Sequence, residues 1–263
     1  MTEADGVGRV QVLARALRVL FCFAPEEPSM SLTQLSTKSG LNKPSLLRII
    51  RTLEDEDVLR RRGEQYSLGP RILQLSNVFL QALSIPELAR PHMVALAREC
   101  RLPVNLAILD GIEIVYVAIE QARREIGVQS DIGGRHPANA TALGKVLLAN
   151  LPEEELNRRL DGIELPRLTH RTLVDTGELT AHLASVRENG FAIDDEERGI
   201  GIRCIAAGVR DHRGDTVAAV SVAGPIFHVT EDSLPDLVSQ LRRTADAISS
   251  ELGSPSMEAL AAS

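Results

Sequence analysis

Little in this chain points to a membrane, the cell exterior or a metal. No run approaches the ~18 apolar residues that cross a bilayer, and the opening MTEADGVGRV lacks the basic-then-apolar layout of a secretion signal. A cytoplasmic protein with no membrane partner is expected. Cysteine is scarce: Cys22, Cys100 and Cys204 are odd in number, far apart and outside any CxxC pattern, which argues against a disulfide framework and a zinc finger. Among the histidines, His136, His170 and His212 make no pair at ligand spacing, so neither metal nor cofactor is expected. Excess positive charge is missing too, the net charge being −7.

That acidity is not evenly spread. Residues 1–75 carry a net +2 and the remainder −9. Within the first part, Lys43, Arg48, Arg51, Arg60, Arg61 and Arg62 gather around a short acidic run from Glu54 to Asp57. A basic face, not a basic protein, is what phosphate contact requires. With 44% hydrophobic residues the chain can bury two modest cores, and two domains are expected.

Val10, Leu13, Ala14, Leu17, Leu20 and Phe21 recur at helical spacing, predicting a helix over residues 9–23 with one buried face, ended by Pro25. A second helix, Leu32 to Ser39, buries Leu32 and Leu35 and stops at Gly40, a residue at ease at positive φ. Asn42 is a suitable N-cap for a third helix, with Pro44 harmless in the first turn. That helix runs to about Asp55, with Leu46, Ile49, Ile50 and Leu53 inward and Ser45, Arg48 and Thr52 outward. Two β-prone segments follow, Val58 to Arg62 and Gln65 to Leu68, joined by Gly63-Glu64 as a basic hairpin. The order of these parts is that of a winged helix-turn-helix. Lys43, Arg51 and the wing residues Arg60, Arg61 and Arg62 are expected on phosphates of double-stranded operator DNA, with Ser45 and Arg48 nearest base edges.

Ile72, Leu75, Ser76, Phe79, Leu80 and Leu83 form another helical stripe, which a partner subunit can cover. Ser84 and Glu87 have capping-box spacing around Pro86, so a helix starts there and runs towards Cys100, bent or restarted at Pro91. The domain boundary is placed near Leu83. From Pro103 two β-branched runs meet at Asp110-Gly111, a strong hairpin signal. Helices are predicted at Thr141 to Asn150, Pro152 to Leu160 and Gly177 to Asn189, strands at Ile202 to Val209 and Val217 to Val222, and a final helix from Asp232 to Leu252. The fold class expected is α+β, with the second domain built around an antiparallel sheet. The divisions are residues 1–75 for DNA binding, 76–85 as a helical linker, 86–253 for effector binding and oligomerisation, and 254–263 as a flexible tail.

Several motifs in order carry a family likeness: RALRVL (15–20), LTQLSTKSGLNKPSLLRIIRTLE (32–54), YSLGPRIL (66–73), HPANATALGKVLLA (136–149), GFAIDDEERGIGIRCIAAGVRD (190–211) and AAVSVAGP (218–225). Across Arg9 to Leu252 the chain resembles the isocitrate-lyase-regulator (IclR) family of bacterial transcription factors. The resemblance implies a GAF-like effector domain, homodimers that can pair into tetramers, and control by a small organic acid or related metabolite. It places Leu143, Asp194, Cys204 and Ser221 at the positions that line the family's effector pocket. The residues suit such a cup: Asn139 or Thr141 can cap the helix containing Leu143, leaving its first N–H groups for a carboxylate. Asp194 suits a ligand hydroxyl or a backbone amide better than a carboxylate, which points to a hydroxylated or keto acid. Where many relatives have a second serine this chain has Ala223, and in the third helix Pro44 and Leu47 replace residues that are usually polar, so neither ligand nor operator sequence transfers.

Two rival readings come from the same residues. A hydrolase would use Cys204 as nucleophile, His212 or His228 as base and Asp194 to orient it, but the spacing fits no catalytic motif, and an enzyme is not expected. In the other, the second domain serves only for dimerisation, which Ala223 slightly favours.

Overall fold

The computed structural model describes residues 10–24, 26–83, 85–121 and 131–254. Pro25 as a helix stop, Ser84 as half of a capping box, and residues 255–263 of the expected tail lie outside them. The chain divides into two units, Met1–Ala82 and Leu83–Ser263.

In the first unit, helices α1 (Gln11–Leu20), α2 (Leu32–Ser39) and α3 (Lys43–Asp55) pack with a three-stranded antiparallel sheet. Its strands are β1 (Ser29–Ser31), β2 (Leu59–Arg62) and β3 (Gln65–Leu68), in the order β1-β3-β2. The local chemistry explains the boundaries. Ser31 accepts from the Gln34 amide while the Gln34 side chain accepts from the Ser31 amide, a reciprocal cap that starts α2, and Gly40 ends it at φ 68°. Asn42 Oδ1 accepts from the Ser45 amide at 3.0 Å and opens α3. Val19, Met30, Leu35, Leu46, Ile50, Leu59 and Tyr66 close one core. Gly69 returns the chain from the wing to α4 (Pro70–Leu83), and a Cβ there would lie 2.0 Å from the Asp57 carbonyl oxygen.

The first helix departs from expectation. It buries Val19 and packs Ala16 and Leu20 on the core, while Leu13, Leu17 and Phe21 of the predicted inner stripe are 58%, 44% and 81% exposed. Sequence periodicity identified an apolar stripe correctly but not which of two neighbouring stripes the core takes. The strand β1 was not foreseen, since three residues are too few to show alternation.

The second unit begins with α5 (Ile85–Cys100), a single helix that carries Pro91 without the predicted restart. Buried Ala89 lies before the proline and buried Met93 and Leu96 lie beyond it, so one packing face runs through it. Six antiparallel strands follow in the order β6-β5-β4-β9-β8-β7: β4 (Val104–Asp110), β5 (Glu113–Glu120), β6 (Arg135–Pro137), β7 (Phe191–Asp195), β8 (Ile202–Arg210) and β9 (Thr216–Pro225). Helix α5 and the last helix, α9 (Leu234–Glu251), pack on one face of this sheet. On the other lie α6 (Ala142–Ala149), α7 (Glu153–Leu160) and α8 (Thr176–Asn189). The edge strands β6 and β7 were not predicted; both are short.

Strand alternation gives the two faces different chemistry. Val104, Leu106, Ile205, Val209, Val220 and Val222 are large and serve the α5/α9 side. Facing α6 are small groups, Ala107, Cys204, Ala206, Ala219 and Ala223, within the core that holds Leu143, Val146 and Leu147. Small side chains here let α6 lie close to the sheet, which brings polar groups from strand, helix and loop together.

Candidate DNA-binding face and effector site

On α3, Lys43, Arg48 and Arg51 are exposed, and Ser45 is half-buried. Arg60, Arg61 and Arg62 are exposed on β2. Arg61 is held in place: its Nε donates to the Gly63 carbonyl at 2.8 Å, and its guanidinium lies 5.6 Å from the centre of the Tyr66 ring. The guanidinium is thus fixed against the turn and second strand of the hairpin. The acidic Glu54 and Asp57 line the same shallow groove as Arg60 to Arg62, so the basic face is bounded by acid on one side.

In the second unit the four expected effector residues occupy one region. Leu143 is in the first turn of α6, and Asp194 on β7, Cys204 on β8 and Ser221 on β9 lie on the sheet face beneath it. Asp194 is the cross-strand partner of Cys204, which is in turn the partner of Ala223; Ser221 is the partner of Ala206. All four are buried, Asp194 to 1% exposure. Thr141 caps α6, its Oγ1 accepting from the Gly144 amide at 3.0 Å. Asn139 does something else, donating from Nδ2 to the Pro166 and Leu173 carbonyls and so fastening the segment between α7 and α8 over this end of the helix. With Gly144 taken by the cap, the amides of Ala142 and Leu143 have no acceptor in helix geometry.

Asp194 is engaged through one oxygen only. Oδ1 accepts from the Glu197 and Arg198 amides at 2.8 and 3.1 Å, whereas Oδ2 is buried and makes no hydrogen bond among the described residues. Burial raises its carboxyl to about 6, outweighing the two amides and the Lys145 charge that pull it down. The Cys204 thiol is buried; desolvation, and then the adjacent Asp194 carboxylate, push it far above its ordinary range. That is the reverse of what a nucleophile needs.

Five residues that the sequence did not assign to this site complete the region, among them His136, considered there only as a metal ligand. Lys145, on α6, has no exposure at all and places Nζ 2.5 Å from both Glu197 Oε1 and the Ile193 carbonyl. A single charge inside ALGKVLLA was the visible signal for it. Arg198 Nη2 donates to His136 Nε2 at 2.9 Å, which requires a neutral imidazole protonated on Nδ1. Burial first and Arg198 second lower His136 to about 4. Asn105, on β4, stands opposite Ser221 and is 2% exposed. Its signal was a carboxamide in the otherwise apolar run VNLAIL.

Comparison with known proteins extends over most of the chain. The family model described as the IclR helix-turn-helix domain matches residues 12–63, and that described as the bacterial transcriptional regulator IclR C-terminal matches residues 78–250. The transcriptional repressor IclR of Escherichia coli K12 is 31% identical over 257 residues, 96% of this chain and 94% of that protein. A candidate transcriptional regulator from Rhodococcus sp. RHA1, solved by crystallography, is 37% identical with a TM-score of 0.82, over 93% of this chain and 98% of that one. An IclR homologue from Microbacterium hydrocarbonoxydans, solved as a complex with 4-hydroxybenzoate, shares the fold at a TM-score of 0.82 and 24% identity, over 92% of this chain and 98% of that one.

Proposed function

The chain belongs to the IclR family of bacterial DNA-binding transcriptional regulators, and on that premise we propose that a small organic acid, held between α6 and the sheet, sets its affinity for operator DNA. The observation that carries this reading is Asp194 Oδ2: a buried carboxylate oxygen that makes no hydrogen bond among the described residues. The acid's carboxylate is assigned to the Ala142 and Leu143 amides at the start of α6, where the helix dipole favours an anion. Leu143, Asp194, Cys204 and Ser221 supply the rest of the cup. That the Microbacterium homologue was solved with an aromatic hydroxy acid supports the ligand class.

The DNA contacts are assigned as the exposed basic groups suggest: Lys43, Arg51, Arg60, Arg61 and Arg62 to phosphates, Ser45 and Arg48 to base edges. The working unit is a homodimer. Leu13 and Leu17 on α1 and Phe21 just after it, with Leu73 and Val78 on α4, are exposed apolar residues that a second copy of the chain would cover. Two winged units so joined meet an inverted repeat, and the effector acts by changing their spacing.

Fluorescence anisotropy tests this with DNA from upstream of the protein's own gene, at fixed salt and with random competitor. Saturable binding that survives competitor and responds to one of a panel of small acids is expected. Binding that no acid alters, together with no thermal stabilisation by any of them, would leave the second unit as a dimerisation scaffold and overturn the sensor reading.

A further inference from the structure

Asn105 is buried to 2% exposure in the middle of the sheet, yet its carboxamide makes no hydrogen bond among the described residues, and Oδ1 is wholly removed from solvent. Buried amides are almost always satisfied, so an unsatisfied one in a tightly built core marks a missing partner. Its orientation follows from the register. Asn105 and Ala107 lie on the same face of β4, and their cross-strand partners Ser221 and Ala219 share the corresponding face of β9. Ala107 and Ala219 belong to the core beneath α6, so Asn105 and Ser221 face α6 as well. The register irregularity between β4 and β5 does not disturb this, because the β4 pairing with β9 is continuous from Val104 to Ala107.

Directly opposite residues in an antiparallel pair have Cβ atoms ~4.5–5.5 Å apart. The Ser221 hydroxyl, buried like Asn105, has no hydrogen-bond partner among the described residues either, and the two do not bond each other. The face under α6 therefore offers three uncommitted groups: the Asn105 carboxamide, the Ser221 hydroxyl and Asp194 Oδ2. Asp194 cannot meet a ligand carboxylate without repulsion, the buried Asn105 Oδ1 needs a donor that a carboxylate does not have, and the nearby Lys145 ammonium is already taken by Glu197 and the Ile193 carbonyl. An alcohol fits where an acid or a hydrocarbon does not, since its O–H donates to an amide or carboxylate oxygen and its lone pairs accept from the amide nitrogen or the serine.

We propose that Asn105 is a specificity-determining residue of the effector site: with Ser221 beside it on β9 it reads a hydroxyl group, so the site selects a hydroxylated carboxylic acid over the same acid without its hydroxyl. This rests on the sensor reading above and assigns the part of the ligand remote from its carboxylate. Removing the hydroxyl leaves the buried carboxamide unpaired, which is how hydrogen-bonding sites reject deoxy analogues.

The test uses the full-length protein and acids paired by hydroxylation: glycerate with propionate, tartrate with succinate, 4-hydroxybenzoate with benzoate. Thermal shift finds the pair that binds, and calorimetry measures both members on wild type and on Asn105→Ala. Wild type is expected to prefer the hydroxylated member by about tenfold or more, and the variant to lose that preference while holding the deoxy member unchanged. The apo variant should melt no lower than wild type, because it loses a side chain that makes no hydrogen bond among the described residues. A variant that weakens both members equally, or that melts lower without ligand and keeps its preference, would mean that Asn105 only supports the core, and would overturn the assignment. If no member of any pair binds wild type, the sensor reading itself falls and this inference with it. Binding of only the deoxy members would sink the inference alone.

Discussion

The Lys145 ammonium sits 2.5 Å from Glu197 Oε1, with the lysine wholly buried and the carboxylate 9% exposed. It ties α6 to the loop that also carries the Asp194 anchor, so the helix and the edge strand β7 cannot move apart without breaking a desolvated ion pair.

Removing one partner strands the other charge. Lys145→Ala should cost about 3–5 kcal/mol in chemical denaturation, whereas Lys145→Met combined with Glu197→Gln should recover most of that loss. A double variant as unstable as the single one would show that packing, not charge, dominates at this position.

Acid dependence should reveal two opposing groups. Asp194, at about 6, holds a proton in the folded chain that the unfolded chain has already lost, so its contribution falls as pH rises from 3.8 to about 6. His136, at about 4, refuses a proton that the unfolded chain takes up, so its contribution falls as pH drops from 6.5 to about 4. Burial lowers His182 as well, with the same sign as His136. Denaturation midpoints between pH 4 and 7 should therefore vary less in wild type than in either Asp194→Asn or His136→Gln. At pH 7.5 Asp194→Asn should be the more stable protein, by up to about 3 kcal/mol. Lower stability there would mean that Asp194 is not held at a cost.

On DNA the two kinds of contact should separate. Arg48→Ala should cost about 1–3 kcal/mol on the operator and little on random sequence, while Arg61→Ala should weaken both and lower the salt dependence by about one phosphate contact. Anisotropy titrations at several salt concentrations read both effects. Equal losses on operator and random DNA for Arg48→Ala would remove it from base recognition.

Cys204 should resist alkylation. In native protein iodoacetamide should modify the half-buried Cys100 before Cys204, and mass spectrometry should find Cys204 labelled only after denaturation. Rapid native labelling of Cys204 would reopen the thiol chemistry that its burial argues against.

Much of the fold was legible because its signals are local. The caps of α2 and α3, the glycine between them and the Asp110-Gly111 turn each depend on residues within a few positions, and Gly111 does adopt φ 64°. The strands β1, β6 and β7 were not legible: each is short, and β1 and β6 of three residues exist because a longer neighbour supplies the hydrogen bonds. Helix α1 showed the limit of periodicity, since an apolar stripe buried by Val19's neighbours and one left exposed along Leu13, Leu17 and Phe21 look alike in a sequence.

The sequence by itself determined the order of the parts: a helical, basic beginning, a hairpin wing, and a later run of alternating strands and helices, with Asp194, Cys204 and Ser221 recognisable from their motifs. Only the tertiary structure decided which groups meet. Asn105 and Ser221 are 116 positions apart in the chain and become neighbours through the pairing of β4 with β9. Lys145 and Glu197 meet because small side chains on the sheet let α6 settle close to β7. Strand register and helix approach are properties of the packed whole, and they turn scattered polar residues into one buried site.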